Sequence, residues 1–142
     1  MNQAQANPEP APEIAVEQAG PARNHDSARW NIVWQIVNTG AAPFAVRSLK
    51  LPHGQFKTDD YKFDPVINLS PGAMREVQTW VRCDEPQGLV TENGFLLFEL
   101  NCGGADWRIF VRIRVVVNER REPHARVERI TRQRVGSSGV GS

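Results

Sequence analysis

The sequence predicts an all-β protein, an antiparallel β-sandwich of about seven strands with flexible arms at both ends. Apolar and polar residues alternate along the first and last long strands, and short runs are separated by turn residues. The central stretch shows no helical period, which favours a sandwich over a mixed fold. With 142 residues the chain has the length of one domain and can bury a core without disulfides or metals.

The first two predicted strands cover residues 30–37 and 44–51. The first has a strongly apolar face made of Trp30, Ile32, Trp34 and Ile36. Residues 38–40, Asn-Thr-Gly, end it in a tight turn because Asn and Gly tolerate positive φ. In the second, the alternation breaks between Val46 and Leu49, which predicts a β-bulge.

The later strands are predicted over residues 55–65, 74–83, 95–102 and 107–117. Residues 95–102 are apolar at both odd and even positions, which is typical of a strand covered on both faces. Residues 107–117 alternate most regularly. The predicted core therefore contains Trp34, Ile36, Val77, Leu97, Ile109, Val111 and Ile113.

The sequence divides into a leader (residues 1–27), a sandwich (28–118) and an arginine-rich arm with a flexible tail (119–142). The leader nearly lacks aromatic residues, which predicts a disordered or loosely docked segment, although Ile14 and Val16 could add a short edge strand. Weak apolar anchors in the arm, Val127, Ile130 and Val135, suffice for a docked strand or a short helix but not for independent folding. We expect the ends before Asp26 and after Val135 to be mobile.

Targeting signals are not evident in the sequence. The first twenty residues contain neither a basic region nor a continuous apolar stretch of the kind that marks a signal peptide, and no apolar run is long enough to span a bilayer. These features predict a cytoplasmic protein in which Cys83 and Cys102 are reduced thiols.

Several motifs follow one another in a recognisable order along the chain. A tryptophan-bearing strand runs into Asn-Thr-Gly, Leu-Ser-Pro-Gly precedes a later strand, and the last strand reads Trp-Arg-Ile-Phe-Val-Arg-Ile-Arg-Val. This order resembles CARDB-type bacterial Ig-like modules and the four-tryptophan (NBR1-type) Ig-like domains. Trp34 matches the first family tryptophan, whereas Phe44, Phe98 and Phe110 stand at the other three positions. The resemblance covers residues 30–117 and implies an immunoglobulin-like fold with a role in binding proteins.

Catalytic and metal-binding motifs are absent from the sequence. It contains no G-x-S-x-G, no glycine-rich phosphate loop and no H-E-x-x-H, and its histidines, His25, His53 and His124, lie in the leader, a turn and the arm. We therefore predict that the chain is not an enzyme and has no catalytic residues, metal site or cofactor.

The candidate partner-binding surface is a strip on the outer face of the last predicted strand. Period-two spacing places Arg108, Phe110, Arg112 and Arg114 on that face, and Arg120 and Arg121 continue the charge into the arm. Arginines 126, 129, 132 and 134 extend it further, diluted by glutamates 119, 122 and 128. Either this is a solvated outer face, or it grips acidic groups through guanidinium forks.

Three functions fit these features. The first is a non-catalytic protein-interaction module, an accessory or structural subunit of a larger assembly, whose partner is acidic. The alternative is a polyanion or nucleic-acid binder that uses the arginine strip, although the net charge of +1 argues against a protein that is basic throughout. The third is a carbohydrate-binding sandwich, for which Trp80 and Tyr61 are the candidate exposed aromatic residues.

Overall fold

A computed structural model describes residues 11–26, 29–51, 60–83 and 86–136, without the side chains of His25, Asp26 and Asn93. These residues contain strands and, within the described ranges, no helix, so the all-β prediction is confirmed. The described ranges contain nine strands, where about seven were predicted. They are β1 Ile14–Gln18, β2 Arg23–Asp26, β3 Arg29–Asn38, β4 Phe44–Lys50, β5 Tyr61–Leu69, β6 Met74–Arg82, β7 Val90–Cys102, β8 Ala105–Val117 and β9 Pro123–Val135.

The strands form two antiparallel sheets, as expected for a sandwich. In the first sheet β3 is central, with β6 along one side and β1 and β2 end to end along the other. The second sheet has the order β5-β4-β7-β8-β9. A register shift between Val46 and Ser48 confirms the β-bulge predicted in β4.

The core lies between the inner faces of the two sheets. Its largest fully buried side chains include Trp34, Ile32 and Ile36 of β3, Leu96, Phe98 and Leu100 of β7, and Ile109 and Ile113 of β8. The predicted core residues are confirmed with one exception. The prediction that Leu97 lies in the core is wrong. Leu97 is half-buried and in register with Phe110, whereas its neighbours Leu96 and Phe98 face inward. Because β7 has apolar residues at both odd and even positions, the sequence pattern does not show which of its two faces points into the core.

A buried polar network ties β3 to β6 within the core. The Trp34 indole Nε1 donates to the Thr79 hydroxyl at 3.0 Å, and that hydroxyl donates to the Ile32 carbonyl at 3.2 Å. Both Trp34 and Thr79 are fully buried. The hydroxyl therefore satisfies an indole N–H that would otherwise lose its hydrogen bond on leaving water.

Strands also form in both terminal segments, outside the boundaries predicted at residues 28 and 118. β1 and β2 pair with β3, and β9 pairs with β8 along its length. Edge strands need few apolar residues, because only one face is buried and the neighbouring strand supplies the hydrogen bonds. The low apolar content of these segments was therefore a poor guide to whether they form strands. Residues 1–10, 52–59 and 137–142 lie outside the described ranges, and so do the predictions that fall on them.

Hydrogen bonds that involve side chains connect the two sheets along both of their lateral edges, which we call seams. At one seam the Ala125 N–H of β9 donates to the Gln18 side-chain oxygen of β1 at 2.8 Å. At the other, the Trp80 N–H of β6 donates to the Tyr61 hydroxyl of β5 at 2.7 Å. Each sheet is thus fastened to the other at both sides.

Cys83 and Cys102 are both buried thiols and do not form a disulfide with each other. Over the described ranges, the chain has no helix with the length and apolar character needed to cross a membrane.

Candidate functional site

The predicted strip lies on the outer face of β8. Arg108 is exposed, whereas Phe110, Arg112 and Arg114 are half-buried and alternate with the fully buried row that begins at Ile109. The arm does not fold over this face. It extends the sheet as β9, in the plane of the sheet beside β8.

β9 places two arginines of the arm, Arg126 and Arg129, beside the strip. The antiparallel register pairs Arg129 with Arg112 and Arg126 with Arg114, on either side of a register shift at Arg112/Ile113. Residues directly opposite each other on paired strands share a face, with Cβ atoms about 4.5–5.5 Å apart. Together with Arg108 of β8 they form what we call the arginine face: Arg108, Arg112, Arg114, Arg126 and Arg129.

Apolar side chains from β7 adjoin the arginine face. Phe95 is in register with Arg112, and Leu97 is in register with Phe110. The Phe95 and Phe110 rings meet edge to face with centroids 6.4 Å apart. This half-buried apolar island places an aromatic surface directly beside guanidinium groups.

Three carboxylates lie near the arginine face, those of Glu92, Glu99 and Asp106. Glu92 lies 3.6 Å from Arg114, but both side chains are substantially exposed and such a pair contributes little. Glu99 accepts a hydrogen bond from the Ser48 hydroxyl at 2.6 Å. Asp106 is bound by Arg47 at 2.7 Å, at the far end of the strip.

Arg120 and Arg121 lie apart from the strip, in the turn between β8 and β9. They line a pocket of about 540 Å³ together with Arg23 and the chain between β1 and β2. The structure thus brings four of the six predicted residues together and places the other two in a different environment at the end of the sandwich.

The two aromatic residues considered for carbohydrate binding have local partners. The Tyr61 hydroxyl bonds the backbone N–H of Trp80, and the guanidinium of Arg29 lies 5.0 Å from the centre of the Trp80 ring. One ring face of Trp80 is therefore occupied by a cation.

In the part of the chain that the structure describes, no three His, Cys, Asp or Glu side chains are placed to hold a metal ion. His53 lies outside the described residues. Burial raises the pKa of the Cys102 thiol, so this group stays protonated at neutral pH instead of becoming a nucleophilic thiolate.

Comparisons of the chain with models of known families, with curated proteins and with solved structures find no match.

Proposed function

We propose that this chain is a non-catalytic protein-interaction module, an accessory or structural subunit that binds an acidic segment of a partner protein through the arginine face. The observation that carries the proposal is the register of β8 and β9. It places Arg129 opposite Arg112 and Arg126 opposite Arg114, beside the Phe95–Phe110 pair.

Charge supports an acidic partner. Like charges directly opposite on paired strands disfavour the sheet, and here two such arginine pairs are adjacent. A bound carboxylate relieves that repulsion and accepts paired hydrogen bonds from a guanidinium fork. Reversing the charge of one partner should therefore remove attraction and add repulsion.

The apolar island supports a protein partner over a nucleic acid. Arginine and aromatic residues are the types enriched at the centres of protein interfaces. Phe95, Leu97 and Phe110 are half-buried and can be covered by an apolar side chain between two acidic ones. Nucleic-acid binding by the same arginines is the alternative, and it predicts a much stronger dependence on salt.

We infer an immunoglobulin-like topology for the sandwich, with the CARDB-type and four-tryptophan domains as the families it resembles. In support, β3 and β6 pair in one sheet while β4, β7 and β8 are neighbours in the other, which parallels strands B and E against C, F and G. β9 would then be an added edge strand. Two buried thiols that form no disulfide with each other support a cytoplasmic location.

The test compares binding of two probes to two charge-reversed variants. The probes are a short synthetic peptide in which Glu alternates with Phe, and single-stranded DNA of equal charge. The face variant is Arg112→Glu with Arg114→Glu. Its matched control is Arg75→Glu with Arg82→Glu, which reverses two exposed arginines on β6 of the other sheet.

We expect the peptide to bind the parent protein and the control, and binding to fall at least tenfold (~1.4 kcal/mol) in the face variant. Equal loss in both variants would show that overall charge, not this face, determines binding. If the parent protein binds the DNA more tightly than the peptide, the proposal is replaced by polyanion binding. The slope of log K against log salt concentration should then be about −3.5, as for five neutralised phosphates.

A further inference from the structure

The turn between β8 and β9 is held rigid by its own hydrogen bonds. The Asn118 side-chain oxygen accepts from the backbone N–H groups of Arg120 and Glu122, each at 2.9 Å. The Asn118 amide nitrogen donates to the Glu122 carboxylate at 2.9 Å. Backbone bonds from Asn118 to Glu122 and from Arg121 to Asn118 complete the turn. None of these bonds uses a guanidinium group, so both arginine side chains are presented by a fixed backbone.

Arg121 adopts a backbone conformation that disfavours its side chain. Its φ is 63°, and within the described residues it is the one non-glycine position with positive φ. Glycine or asparagine takes this conformation at lower cost. Strain of this kind persists where the surrounding structure fixes it, and it concentrates at functional sites.

The turn forms one wall of an open pocket of about 540 Å³, a volume usual for small-molecule sites. Arg23 of β2 also lines this pocket. Pro21, Ala22 and Trp30 are its apolar lining residues. The pocket is therefore lined by three arginines and three apolar residues.

Negative charge in this pocket is scarce. Glu122 is the one carboxylate among the described lining residues, and its carboxylate already accepts from Asn118. No ion pair between described residues involves Arg23, Arg120 or Arg121. Three arginines and one carboxylate around a cavity leave a net positive field that attracts anions.

We propose that this pocket binds the phosphoryl group of a small phosphate monoester, with the organic part of the ligand against Pro21, Ala22 and Trp30. Three arginines around one pocket favour a ligand with several acceptor oxygens, and a phosphoryl dianion has three, whereas a carboxylate has two. The site is independent of the protein-interaction proposal, because it lies in the turn and not on the arginine face.

The proposal is tested by calorimetric titration with phenyl phosphate, inorganic phosphate and benzoate. Phenyl phosphate combines the dianion with an apolar body, and each of the other two lacks one of these parts. We expect phenyl phosphate to bind at least ~10-fold more tightly than benzoate and measurably more tightly than inorganic phosphate. Its affinity should rise as pH increases through about 6, where the monoester gains its second charge.

Variants locate the binding. Arg120→Gln and Arg23→Gln should each weaken phenyl phosphate binding by about tenfold, as expected for loss of a charge-assisted hydrogen bond. Arg75→Gln, an exposed arginine on β6, should leave it unchanged. Circular dichroism verifies that each variant is folded. The proposal is overturned if the parent protein does not bind phenyl phosphate, if benzoate binds equally well, or if Arg75→Gln weakens binding as much as Arg120→Gln does.

Discussion

Replacing Gln18 with alanine should destabilise the protein by cutting the bond that fastens β1 to β9. The Gln18 side chain is 9% exposed, its oxygen accepts from the Ala125 N–H at 2.8 Å, and its nitrogen donates to the Gly20 carbonyl at 3.1 Å. Ala125 is itself 4% exposed. The substitution therefore leaves a backbone N–H of β9 buried without its acceptor.

The expected loss in the free energy of unfolding depends on how well water can reach that N–H. An orphaned buried donor costs about 1–3 kcal/mol. The seam between β1 and β9 contains an open cavity lined by Gln18 and Ala125, through which water can reach the freed N–H. We therefore expect the lower part of the range, about 1–2 kcal/mol, and a fall in Tm of about 3–10 °C.

Chemical denaturation of Gln18→Ala beside Glu17→Ala measures this effect. Glu17 is the exposed neighbour on the same strand, and its replacement should change the free energy of unfolding by less than about 0.5 kcal/mol. If the two variants are equally stable, the bond between Gln18 and Ala125 does not hold the terminal strands together, and the leader is only loosely docked.

Three further predictions concern the core, the turn and the buried thiol. Thr79→Val removes the acceptor of the buried Trp34 indole and should cost about 1–3 kcal/mol in denaturant unfolding; an unchanged midpoint would show that this bond is not formed. Glycine adopts positive φ without strain, so Arg121→Gly should be at least as stable as the parent protein in a thermal melt. Arg120→Gly should instead lower the free energy of unfolding by about 0.5–1 kcal/mol. Equal losses of stability in the two variants would show that Arg121 is not strained. Because burial raises the pKa of Cys102, the folded state holds its proton longer than the unfolded state, so stability should fall as pH rises above about 8.5. Cys102→Ala should flatten that decline, and an equally steep decline would assign it to other groups.

Period-two alternation identified the strands that bury a complete face. β3 and β8 each present an unbroken inner row, so the sequence alone located them and predicted the outward direction of Arg112 and Arg114. The sequence predicted the position of β7 but not which of its faces points into the core. Both faces of β7 are apolar, so alternation does not distinguish them.

The grouping of the arginines depends on strand register and on the turn between β8 and β9, which the sequence pattern did not predict. Arg126 and Arg129 join the arginine face through the pairing of β9 with β8, and the register shift beside Arg112 breaks the simple alternation along β9. Arg120 and Arg121 follow the strip closely in sequence, yet the turn directs them toward Arg23 instead. Proximity in sequence therefore grouped residues that the fold separates.

Mapping the bound Glu-Phe peptide by amide chemical shifts tests the central claim, that the arginine face takes an acidic segment, most directly. We predict that saturable shifts concentrate on the amides of Phe110, Arg112 and Arg129, on β8 and the neighbouring edge strand β9 of the second sheet. Shifts that instead concentrate on the outer face of the first sheet, around Trp80, would contradict the claim and place the working surface on β6.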